Sequence, residues 1–324
     1  MTSDACLISI YMREHSGKWC PATVEQIKTA DFDFSWIHID ASHNDAAGWI
    51  QGFADIDEIT TESLMDQGTR PRCTPMNEGL LIILRGVNCN PGQETEDMVA
   101  IRMLICDKII FTLRNRRVMA MQDMKERIDK DQGPDTKGEF ICMAAESIAN
   151  RMGDTIEDLE EIIDQIESVT NENENTWPEL VSRITELRRM SIRLRRYIAP
   201  QRDILHRLTS EKAKWISEND KIQLKEIAER TARFVEDIDS ARERAAVTLE
   251  ELNTRLSNRM NKAVYILSII TAVFLPLGLL TGLLGINVGG IPGSEFKWAF
   301  TLVTAMIVCI AVGLILWFKR LRWP

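Results

Sequence analysis

Two stretches late in the chain decide what it can fold into. Residues 263–284 and 298–318 carry no charged side chain, and at ~1.5 Å per residue each is long enough to cross a hydrocarbon core of roughly 30 Å. What precedes them is of another kind. Of 324 residues 27% are charged, the formal net charge is −9, and almost all of that charge lies before residue 263. The expectation is a membrane protein with a large polar N-terminal part, far too long for a small disulfide-stapled module.

Residues 1–6 hold no basic stretch leading into an apolar run, so no secretory signal is expected. Arg255, Arg259 and Lys262 precede the first span, and Lys319, Arg320 and Arg322 follow the second, whereas the connection carries Glu295 and Lys297. The positive-inside bias places both termini in the cytoplasm. Tyr265, Trp298, Trp317 and Trp323 sit near the span ends, where amphipathic rings favour the headgroup layer. The seven cysteines contain no C-x-x-C pair, and a cytoplasmic location favours free thiols over disulfides or zinc-finger ligation.

Short β-branched or apolar runs at 6–12, 34–40, 80–87, 99–106 and 108–114 read as strands of one sheet, with helical candidates at 46–54 and 57–66. Thr69-Arg-Pro-Arg and Asn90-Pro-Gly mark loops. The fold class expected is α+β: a cytoplasmic α/β head over 1–117, cytoplasmic helices over 118–219, a stalk helix over 220–262, spans at 263–287 and 298–318, an outer loop at 288–297 and a cytoplasmic tail at 319–324.

Within the helices the charge is segregated. Residues 154–179 hold ten Asp or Glu and no Lys or Arg, with Ile156, Leu159, Ile163, Ile166 and Val169 at helical spacing; residues 183–207 hold eight Arg against Glu186 and Asp203. One reading is an antiparallel hairpin whose charged faces complement each other; another is an acidic surface that concentrates cations beside a pathway. Overall acidity disfavours nucleic acid as a partner of the arginines. Over 220–262 there is no Pro or Gly, and Ile227, Thr231, Phe234, Ile238, Ala241, Ala245, Thr248, Leu252 and Leu256 form a near-heptad stripe. One helix should run from this stalk into the first span, its stripe covered most economically by copies of itself.

Two spans cannot enclose water alone, so any pore belongs to an oligomer. Asn261, Ser268, Thr271, Gly278 and Gly282 lie near one face of the first span. Such a face suits either a lined path or close helix packing. The outer end of this span reads Phe-Leu-Pro276-Leu-Gly-Leu-Leu-Thr-Gly-Leu-Leu-Gly285-Ile286-Asn287. It resembles the first transmembrane helix of the CorA metal-ion transporter family, which ends in Gly-Met-Asn and carries a Pro where Pro276 stands. The continuation Val-Gly-Gly-Ile-Pro-Gly is similar to the zinc-transporter (ZntB) branch, and the likeness in architecture covers nearly the whole chain.

The resemblance implies a funnel-shaped homopentamer in the bacterial inner membrane, without enzyme activity or a permanently bound cofactor, in which Zn2+ is the transported ion. It further implies that Gly285, Ile286 and Asn287 form the outer selectivity ring, and that Asn261, Val264, Leu267, Leu275 and Gly278 line the path; Thr271 joins them from its place on the small-residue face at helical spacing. Where the family has Met-Pro-Leu-Thr, this chain has Leu275-Pro-Leu-Gly278, so a mid-pore hydroxyl ring is absent. No phosphate-cradling Gly-x-x-x-x-Gly-Lys-[Ser/Thr] loop occurs. None is needed, because a dication moving inward through roughly 100 mV gains about 4.6 kcal/mol. No Asp, Glu or His lies in either span, which leaves Glu295 or stalk carboxylates as candidates for proton coupling and metal contact. In the head, His38, Asp40 and His43 have ligand chemistry, against a plain strand-end turn as the alternative. The expected function is divalent-cation transport, zinc uptake foremost; a Mg2+/Co2+ channel or a membrane-tethered metal sensor are the other readings.

Overall fold

A computed structural model describes residues 4–68, 70–170, 176–211, 213–285 and 296–320, the side chain of Lys319 excepted. Seven strands, β1 (Leu7–Arg13), β2 (Trp19–Pro21), β3 (Phe34–Asp40), β4 (Arg72–Pro75), β5 (Leu80–Gly86), β6 (Val99–Ile105) and β7 (Ile109–Arg114), form one sheet in the order β2-β1-β3-β7-β6-β5-β4. Only β3 and β7 pair in parallel. The central strands lack strict alternation because helices cover both faces; every residue of β5 is buried. On one face Ile37, Ile39, Leu81, Ile83, Leu104 and Phe111 pack against Trp49 and Ile50 of α2 (Ala46–Ala54) and Leu64 of α3 (Glu58–Met65). On the other, Trp36 meets Phe140 of α5 (Lys137–Val169) edge-on, with ring centroids 5.5 Å apart. Two strands absent from the sequence reading, β2 and β4, are the sheet's two edges. Both are short and end in proline, as befits strands with one unpaired side. Two further helices complete the head: α1 (Val24–Thr29), closed by a Thr23–Gln26 capping box, and α4 (Met119–Asp129).

The helical hairpin is present as α5 and α6 (Trp177–Thr209), but its charges do not complement each other in the way expected. Among the described residues the ion pairs of the two helices run elsewhere. Asp164 and Glu167 of α5 hold Arg244 at 2.5 and 2.6 Å, and Arg195 of α6 holds Asp239 at 2.7 Å. Both cross to α7 (Glu218–Leu284). The two carboxylates hold the Arg244 guanidinium well above its ordinary pKa. What joins α5 and α6 is apolar: Ile156, Leu159, Ile163 and Ile166 on one, Leu180, Ile184, Leu187 and Leu194 on the other, all buried. Each such side chain contributes about 1.5–3 kcal/mol by area, as an upper bound.

The α7 stripe is likewise covered within the chain. Ile227, Thr231, Phe234, Ile238, Ala241, Ala245 and Thr248 are each 9% exposed or less. The stalk therefore needs no second copy to bury it, which corrects the argument for assembly drawn from sequence. At the start of α7, Asp220 Oδ2 accepts from Ser217 N at 2.7 Å while Ser217 Oγ accepts from Asp220 N at 3.1 Å. Gly138 lets α5 approach this cap, since a Cβ there would lie 2.2 Å from Asp220 Oδ2. The chain divides into two compact units, Met1–Leu249 and Glu250–Pro324; the second holds the apolar end of α7 and α8 (Ala299–Arg320).

Candidate functional site

An α-helix turns ~100° per residue. On α7 this puts Asn261, Val264, Leu267, Thr271, Leu275 and Gly278 within an arc of ~120°, the arc expected of a lined path. All six are exposed within the single chain, Val264, Leu267 and Leu275 by 61–66%. Over 263–284 the one buried side chain is Val273. In water such a surface is untenable; with α8 equally bare, the second unit is built for a bilayer. Val264, Leu267, Thr271 and Leu275 line a groove of about 460 Å3 together with Ser268, Ala272 and Pro276. Asn261 and Gly278 continue the arc beyond it, and a Cβ at Gly278 would meet nothing within 4 Å.

The groove's polarity comes from two sources. Ser268 Oγ donates to Val264 O and Thr271 Oγ1 to Leu267 O, both at 2.9 Å. The hydroxyl protons are thus bound to the helix, and their oxygens face outward as acceptors only. The second source escaped the sequence reading. Pro276 has no N–H, so the carbonyl of Ala272, four residues earlier, loses its helical donor while the helix continues. Ala272 and Pro276 both line the groove, so the carbonyl that loses its donor belongs to the groove's own residues. A proline four residues after a small residue was the available signal.

Gly285 follows the last helical residue, and its N–H donates to Thr281 O at 2.9 Å, closing α7. Ile286, Asn287 and Glu295 lie outside the described residues.

The head candidates do not converge. His38 is 4% exposed; its Nδ1 lies 2.8 Å from Thr112 Oγ1. Burial first, then the field of Arg114, pushes His38 down to about 3, so the ring is neutral. The cavity it lines carries Arg114, Arg117 and Lys125 and no carboxylate, a repulsive setting for a dication. Asp40 Oδ1 accepts from the backbone N and the Oγ of Ser42, at 2.9 and 2.5 Å, in a local turn. His43 is engaged by Asp45 N at 3.4 Å. Each side chain has a different neighbour, and among the described residues no three His, Cys, Asp or Glu gather as a ligand set.

The comparisons with known proteins agree with this architecture. The chain is 37% identical over 289 residues to the divalent cation transporter CmaX of Pseudomonas aeruginosa, covering 89% of this chain and 87% of that one. It is 34% identical over 288 residues to the zinc transport protein ZntB of Yersinia enterocolitica, with the same coverage. The solved structure of full-length CmaX superposes with a TM-score of 0.83 at 35% identity, covering 98% of each chain. The family described as CorA-like Mg2+ transporter protein matches residues 31–320. With an α+β head, one helix running into an apolar span and a second apolar helix behind it, this chain belongs to the CorA family, in its ZntB branch.

Proposed function

We propose that the protein carries divalent cations across the bacterial inner membrane, taking up zinc, as a homopentamer around a path lined by α7. The observation that carries this reading is the α7 arc, a continuous strip of exposed side chains with acceptor oxygens at Ser268, Thr271 and the released Ala272 carbonyl. A hydrated dication needs acceptors for its water shell. It also needs a path without charged or soft ligands that would trap it, and residues 263–284 hold no Asp, Glu, His, Cys or Met. Two apolar helices per chain cannot surround such a path, so several copies must present the arc to one axis. Basic residues at both cytoplasmic flanks orient the short loop outward. Asn287 then offers a neutral carboxamide ring at the outer mouth, able to accept from ion-bound water. Zinc in preference to magnesium rests on the kinship with ZntB. Any proton coupling falls to Glu295 or to the stalk carboxylates.

Flux into proteoliposomes tests the reading. Zinc uptake driven by an inside-negative potential should exceed magnesium uptake and should be largely abolished by Asn287→Ala in a protein that stays assembled. Glu295→Gln should lower apparent affinity modestly, and mainly at low salt. Full flux in Asn287→Ala would remove Asn287 from the selectivity role, absence of flux in the wild type would leave the spans as a tether, and a monodisperse monomer by mass measurement would remove the pore.

A further inference from the structure

A second, unrelated feature lies in the head. A cavity of about 410 Å3 beside β5, β6 and α6 is walled by five arginines against two carboxylates, Glu96 and Asp97. Asp66 is near enough to act on Arg85 and Arg102, which still leaves the cations in excess by two. The sheet register builds the deeper half of this wall. Arg102 stands opposite Ile83 and Arg85 opposite Ala100 in the antiparallel β5–β6 pair, so the two arginines share a face as diagonal neighbours.

Burying two cations side by side is unfavourable unless hydrogen bonds and counter-charge match them. Arg85 is matched by protein. Its Nη1 donates to Met98 O at 2.9 Å, its Nη2 to Gln67 O at 3.3 Å, and its guanidinium lies 4.8 Å from the centre of the Tyr197 ring. Arg102 is matched on one side only. At 1% exposure it donates through Nη1 to Asn115 Oδ1 at 2.5 Å, while its Nε is buried with no partner among the described residues. Nε and Nη2 are the parallel donor pair of a guanidinium, the edge that takes two oxygens of one oxyanion.

The outer half of the wall comes from α6. Arg193 approaches Glu96 and Asp97 only to 3.6 and 3.9 Å, and Arg196 lies 5.5 Å from the Tyr197 ring centre. With two guanidinium groups over it, Tyr197 is no open platform for an aromatic ligand, whereas the charge excess fits a dianion.

We propose that this cavity binds a phosphate-class oxyanion, anchored side-on by Arg102 Nε and Nη2 and closed from α6 by Arg193 and Arg196. The depressed Arg102, which burial and then the field of Arg85 bring down to about 10, is what an anion at that spot would relieve. The same chemistry is offered by a free inorganic anion or by the phosphates of a nucleotide.

Calorimetric titration of the full-length protein in detergent, at fixed ionic strength and without metal, separates the cases. Inorganic phosphate or pyrophosphate should bind saturably, one per chain. Affinity should fall at least tenfold in Arg196→Gln, an exposed position that leaves folding intact, and further in Arg102→Gln. Arg202→Gln, on α6 outside the cavity, should match the wild type. ATP binding tenfold tighter than pyrophosphate would identify a nucleotide as the source, and equal or weaker ATP binding the free anion; the site stands in both. No saturable heat in the wild type, an affinity unchanged in Arg196→Gln, or displacement by equimolar chloride would overturn it.

Discussion

Thr112 offers the sharpest test of how the head is held together. It is 0% exposed and faces His38 across the parallel β3–β7 pair. Its hydroxyl accepts from Trp36 Nε1 at 2.7 Å and bonds His38 Nδ1 at 2.8 Å. Thr112→Val keeps the shape and deletes the single atom that satisfies both rings. Each orphaned buried group costs about 1–3 kcal/mol, and because the two share a partner the losses do not simply add, giving about 2–4 kcal/mol in total. For a cooperative unit of this size that is a fall in Tm of roughly 5–15 °C. Thermal unfolding of the full-length protein in detergent, followed by tryptophan fluorescence, measures it. Adding Trp36→Phe and His38→Leu to Thr112→Val should recover much of the loss, since no polar group is then stranded. A loss below about 0.5 kcal/mol, or a triple variant as unstable as the single one, refutes the reasoning. Zinc should leave the wild-type Tm unchanged through this site. Zinc stabilisation that disappears in His38→Gln would instead make His38 a ligand.

Pro276→Ala restores an N–H to the Ala272 carbonyl; helix stability should hold or rise while zinc flux falls severalfold, and unchanged flux would show that the carbonyl is not used by the ion. Gly138→Ala drives a Cβ to 2.2 Å from Asp220 Oδ2 and 2.9 Å from Trp215 O, so a loss of about 1–3 kcal/mol is expected in thermal unfolding; a neutral result would mean that the α5–α7 approach gives way freely. His15 is held by Asp33 at 2.6 Å and Asp31 at 3.3 Å, which raise its pKa above 6.5. A raised folded value means stabilisation fully present below pH 6.5 and lost as pH climbs through the folded value. The Tm gap between wild type and His15→Gln should therefore narrow from about pH 6 to pH 8.5, and a gap that is flat or widening would contradict the pairing.

The central strands and long helices were legible because their burial writes itself into periodicity. Residues 80–87 and 99–106 are nearly continuous apolar runs, and they became β5 and β6 within a residue at one end. β2 and β4 were not legible because an edge strand of three or four residues, punctuated by Pro21 or by Pro71 and Pro75, carries the signature of a turn. The charged hairpin failed for a different reason. Composition shows that 154–179 is acidic and 183–207 basic, but any surface that meets a third helix can satisfy the same charges. Arg244 and Asp239 of α7 do so, which only the packing reveals.

The site divides along the same line. Helical spacing alone put Asn261, Ser268, Thr271 and Gly278 on one face, yet small and hydroxylated residues serve helix packing as well as ion passage. Two features are in keeping with the proposed path. Ser268 and Thr271 bond back onto their own helix at 2.9 Å, as hydroxyls in helices commonly do, which leaves their oxygens as acceptors. Pro276 adds the Ala272 carbonyl, which lacks its usual helical donor, on two residues that line the groove. An array of acceptors without donors or formal charge is suited to the water shell of a cation and to nothing anionic. The arginine cavity of the head has the opposite character, guanidinium donors in excess over carboxylates, and so suits the oxyanion proposed for it.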